Sequence, residues 1–112
     1  VHQFATSSVK PGGTYAQLAD RRARQVLRPF VTQLGEWNQR AARASAMILS
    51  RASSGADRSA QFADLRDLLD EVSRSYEEFE RVVADEPAQS RIADVRSAFI
   101  RLQSTLRRLR AD

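Results

Sequence analysis

Cysteine is absent from the 112 residues, so neither a disulfide nor a thiolate metal site can form. The redox compartment stays open, because a chain without cysteine suits cytosol and periplasm equally. Histidine occurs once, as His2, beside no other ligand type. A zinc site needs three or four His, Cys or carboxylate ligands, and a di-iron bundle needs a Glu-x-x-His pair on facing helices; neither set is present, and no cofactor is expected. The many serines likewise lack a placed imidazole that would activate one as a nucleophile, so an enzyme is not expected. Apolar runs stay far short of the roughly 18 residues of a membrane-spanning helix. Lysine occurs once, as Lys10, among 18 basic residues, a bias that with the abundant alanine points to a GC-rich genome, hence the expectation of a bacterial source. Strand-like alternation is missing throughout, and Lys10-Pro11-Gly12-Gly13-Thr14 has neither the spacing of a phosphate-binding loop nor a strand before it.

What the chain does have is one apolar rhythm, three times over. Leu27, Phe30, Leu34, Trp37, Ala41, Ala44 and Ile48 form the first series, and Phe62, Leu65, Leu69, Val72, Tyr76, Phe79 and Val83 the second. Ile92, Val95, Phe99, Leu102, Leu106 and Leu109 form the third. Steps of three and four average 3.5 residues, the period at which a helix keeps one seam toward its neighbours. The spacing predicts an all-α fold, an antiparallel up-down bundle of three long helices. Its length makes it one domain, with residues 1–13 as a flexible leader and 14–112 as the bundle.

Boundaries follow from capping chemistry. Thr14 with Gln17 has the spacing of a capping box and predicts a helix start there. Pro29 either kinks a long helix over 14–53 or opens a new one, leaving a short fourth element before it. The pattern favours the kinked or continued form, roughly 60 Å long at 1.5 Å per residue, with termini at opposite ends. Ser53, Ser54 and Gly55 are expected to close the helix, Gly55 in the left-handed conformation, with Asp57 or Ser59 capping the next. Asp85-Glu86-Pro87 predicts a proline at the first position of the third helix, with two carboxylates at its positive end.

Charge is divided by segment. Residues 1–56 carry +6, residues 57–86 carry −6 and residues 87–112 carry +4. An acidic middle helix between two basic ones is what complementary pairing inside a bundle needs. Along the acidic helix, Asp70 with Arg74 and Glu77 with Arg81 are spaced as surface pairs. Two basic clusters, Arg21, Arg22 and Arg24, and Arg107, Arg108 and Arg110, are the candidates for a polyanion-binding alternative. The lack of interleaved aromatics argues against nucleic acid itself. Val31, Met47, Leu49, Leu68, Val82 and Ile100 fall off the strict seams, a surplus that predicts either a fourth helix or a partner, the latter as a homodimer or a helix docked in a groove. Trp37, Val31, Met47 and Ile100 are therefore expected to contact a ligand or partner.

Residues 33–52, with Asn38-Gln39-Arg40 followed by small residues and Met47-Ile48-Leu49, and then Asp64-Leu65-Arg66, resemble the ligand-input domains of type IV pili methyl-accepting and nitrate/nitrite sensors. Gln39 and Arg40 coincide with that family's helical motif, while Ala41, Ala42 and Arg43 stand where it has Met, Leu and Ser. The resemblance implies an extracytoplasmic four-helix input domain in which Arg40 contacts a small anion at a dimer seam; a soluble docking module would instead suit the cytoplasm. The start at Val1, without an initiator Met or signal peptide, is read as a piece of a longer chain.

Overall fold

A computed structural model describes residues 11–50 and 54–111 and shows three helices and no strand among them. They are α1 (Pro11–Leu49), α2 (Gly55–Val82) and α3 (Gln89–Ala111), and each packs against the other two. The all-α three-helix bundle expected from the seams is what forms. The leader segment 1–10, with His2, and residue Ser53 lie outside the described residues. Residues 11–13 belong to α1.

Pro29 neither kinks α1 into two elements nor starts a fourth; α1 runs through it for 39 residues, ~58 Å at 1.5 Å per residue. Pro29 is exposed, as is Gln25, whose carbonyl loses its amide partner. The orphaned carbonyl therefore lies on the outer face, where water satisfies it, and the seam beneath is undisturbed. Helix α1 as described covers Pro11–Leu49, so the start expected at Thr14 lies inside it.

The expected left-handed Gly55 is corrected as well. Gly55 opens α2, and no described glycine has a positive φ. Ser54 is the cap: its Oγ accepts from the Asp57 amide at 3.0 Å while Asp57 Oδ2 accepts from the Ser54 amide at 3.2 Å. That reciprocal pair places Asp57 three residues into the helix, where its charge meets the positive end of the dipole. At the other turn, α3 begins at Gln89, two residues beyond Pro87, so the proline sits in the connection. There the Glu86 amide donates to the Val83 carbonyl at 3.0 Å and the Gln89 side chain donates to the Glu86 carbonyl.

The core is the three seams brought together. Leu27, Phe30, Leu34 and Trp37 of α1 meet Leu65, Leu69, Val72 and Phe79 of α2 and Ile92, Phe99, Leu102 and Leu106 of α3, all buried. Ile48, Phe62 and Leu109, at the outer ends of the seams, are only half-buried. Leu68, expected as surplus, is 2% exposed and belongs to the core. Every helix of the bundle touches both others, which asks for a wider apolar stripe than one seam, and on α2 the adjacent Leu68 and Leu69 supply it. At mid-height Phe99 meets Phe79 at 5.2 Å, Tyr76 at 5.4 Å and Phe30 and Trp37 each at 6.2 Å between ring centres. Tilted and edge contacts of this kind match the ring quadrupoles better than a face-to-face stack would.

Candidate functional site

The polar groups sort by seam. Where α1 meets α2, the buried Trp37 indole donates from Nε1 to Glu71 Oε2 at 2.8 Å. The other Glu71 oxygen lies 3.5 Å from Arg40 Nη1, and Arg40 Nη2 lies 3.8 Å from Asp64 Oδ1. Glu71 thus ties an aromatic and a cation of α1 to α2. Below it opens a groove of about 460 Å³ lined by Arg40, Arg43, Ala44, Met47, Gln61 and Asp64.

Where α2 meets α3, Arg96 grips Glu80 with two prongs, Nε to Oε2 at 2.6 Å and Nη2 to Oε1 at 2.8 Å. The Arg96 hydrogen bond, assisted by one from Tyr76, holds the Glu80 carboxyl down to about 2 against the opposing effect of desolvation. Tyr76 is pushed up, first by its hydrogen bond to Glu80 and then by burial. The same guanidinium lies 5.9 Å from the Phe79 ring centre, within reach of the ring's negative face.

Where α1 meets α3, Asp20 takes both Arg91 and Arg24. The hydrogen bond from Arg91 lowers the Asp20 carboxyl and raises Arg91 itself. Glu86 of the turn between α2 and α3, 7% exposed, accepts from Arg22 Nε on both oxygens at 3.1 and 3.2 Å. Gln103, also buried, donates to Ser73 Oγ at 3.3 Å. No buried side-chain nitrogen or oxygen among the described residues lacks a partner.

The residues singled out from the sequence do not share one surface. Trp37 is 3% exposed and is part of the core, so the contact expected of it is internal. Arg40 and Met47 line the α1–α2 groove, whereas Val31 lines a groove of about 360 Å³ between α1 and α3 with Leu27, Arg24, Arg28, Arg91 and Val95. Ile100 is exposed on α3 and lines neither. The amino-terminal basic cluster is largely spent, since Arg22 and Arg24 hold Glu86 and Asp20, leaving Arg21. In the carboxyl-terminal cluster Arg108 reaches only the Thr105 hydroxyl, at 3.4 Å, and Arg107 and Arg110 have no acidic partner among the described residues. The expected pairs Asp70–Arg74 and Glu77–Arg81 are not made; Arg81 turns to Glu78.

Sequence reasoning missed Glu80 with Arg96, Asp20 with Arg91 and Glu86 with Arg22, because each joins separate elements, two of them helix to helix and the third a helix to a turn. The charge alternation by segment signals such pairing without naming the partners. No group of three or more His, Asp or Glu that could hold a metal ion occurs among the described residues, and none of the helices is long and apolar enough to cross a membrane. The chain matches no family model, no curated protein and no solved structure.

Proposed function

We propose that this chain is a non-enzymatic interaction module, a docking or signal-input domain that works through the surface of α1 and associates with a second copy of itself. One observation carries the reading. Of the seven large apolar side chains exposed among the described residues, five (Tyr15, Leu18, Val31, Met47 and Leu49) lie on α1. Tyr15 and Leu18 precede Asp20, the point at which α1 is first tied to α3, and they are 67% and 55% exposed. Covering such surface gains about 25 cal/mol per Å², and an apolar overhang on a long helix is a natural place to do so. Docking is favoured over anion input by Arg40, the residue the sensor resemblance implies for a small anion: Asp64 and Glu71 already flank it.

Sedimentation equilibrium from micromolar to millimolar concentration tests the reading. The mass is expected to rise from monomer toward dimer, and Tyr15→Ser with Leu18→Ser to weaken the association by about tenfold. A monomer mass at every concentration would overturn self-association.

A further inference from the structure

At each seam where α2 or its following turn meets a neighbour, a carboxylate faces an arginine: Glu71 and Asp64 face Arg40, Glu86 faces Arg22, and Glu80 faces Arg96. One cleft breaks the pattern. Between the start of α2 and the end of α3, Arg66 and Arg110 line a common hollow of about 480 Å³ with Ser59, Phe62 and Ala63. Neither arginine has an acidic partner among the described residues. Arg107, one turn before Arg110 on α3 and exposed, likewise has no acidic partner among the described residues. Like charges gathered at one cleft repel, and the repulsion is relieved when an anion sits between them.

We propose that this cleft is a binding site for an oxyanion of the phosphate class. Arg66 lines the hollow from α2 and Arg110 from α3, so an anion held between the helices can take a planar donor fork from each wall, the kind of contact by which arginine recognises phosphate. Ser59 adds a hydroxyl donor on the α2 wall, and half-buried Phe62 with Ala63 gives the hollow an apolar side. That side suits a phosphoryl group carried on an apolar body, so the source is either a free phosphate compound or a lipid headgroup. The site is separate from the exposed apolar residues of α1 and does not depend on self-association.

Calorimetric titration with inorganic pyrophosphate at low ionic strength tests the first source, and co-sedimentation with phosphatidylglycerol vesicles, against phosphatidylcholine vesicles, tests the second. Saturable binding to either probe is expected, weakened about tenfold by Arg66→Gln and by Arg110→Gln. Arg21→Gln removes the same charge elsewhere and is expected to change binding less than about twofold. Amide NMR shifts of Ser59 and Phe62 on titrating the unaltered protein keep the test valid should a variant unfold. Binding to neither probe overturns the proposal, as does an equal loss in Arg21→Gln or shifts that bypass Ser59 and Phe62.

Discussion

Arg96 and Glu80 clasp each other across the α2–α3 seam, with 2.6 and 2.8 Å between the paired atoms. The pair sits beside the aromatic centre of the core, where Arg96 also lies 5.9 Å from the Phe79 ring centre.

Its consequence is a stability that depends on acid. The Glu80 carboxyl is held at about 2 in the folded chain against 4.5 ordinarily. A depressed carboxyl binds fewer protons folded than unfolded, so its contribution is complete above about pH 4.5 and fades as pH falls toward 2. Asp20, lowered by Arg91, acts in the same sense. Glu80→Gln is expected to melt lower than the unaltered protein at pH 7, with the gap closing below pH 4. A gap that stays constant from pH 7 to pH 2.5 would show that the clasp contributes nothing.

Pro29 should be the cheapest place to strengthen the fold. Proline in a helix interior is about 3 kcal/mol worse than alanine, partly offset by its stiffening of the unfolded chain. Because α1 continues through an exposed Pro29, Pro29→Ala is expected to stabilise by about 1–2 kcal/mol in urea unfolding. Unchanged or reduced stability would mean that the helix does not run on as described.

Phe99 is fully buried and touches four other rings. Phe99→Ala should cost about 3–5 kcal/mol, enough to unfold much of a domain this size. Its neighbour Ile100 is exposed, and Ile100→Ala should stay within about 0.5 kcal/mol. Denaturant midpoints of the two variants check the contrast, and similar losses at both would contradict the seam assignment.

Trp37 is the sole tryptophan, so its fluorescence reports on one bond. Glu71→Leu removes the acceptor of the indole N–H, leaving a buried donor unpaired at a cost of about 1–3 kcal/mol. Arg40 loses a partner in the same change. Expected are an altered emission maximum in the folded state and an earlier urea transition; identical spectra and midpoints would refute the link.

The cap of α2 gives a smaller, cleaner test. Ser54→Ala should lower stability by about 1 kcal/mol, since the Asp57 amide loses its acceptor. Ser59→Ala, one turn further along, should leave stability within about 0.5 kcal/mol.

The helix ends were harder to read than the helices. Ser53, Ser54, Asp57 and Ser59 all have capping side chains, and the choice among them depends on where the preceding helix stops, which rests on packing at the bundle's end. Leu68 was misjudged because a strict seam assumes one neighbouring face, while each helix of a three-helix bundle has two. The basic cleft was half visible: Arg110 stood out, but Arg66 lies on the acidic helix and gains meaning only when α3 brings Arg110 alongside it.

The spacing of apolar residues alone determined that the chain would be helical along three seams and, Leu68 apart, which side chains would be hidden, because helical period is a local property that each segment carries by itself; that α1 would run on through Pro29 was decided by the structure. Which charges meet did not follow from it. Arg22 and Glu86 are 64 positions apart and Arg91 and Asp20 are 71 apart, and separations of that kind close only when whole helices dock. The height and angle at which they dock come from the fit of Phe30, Phe79 and Phe99 inside the bundle, a balance of shapes summed over three helices that no single stretch of the chain contains.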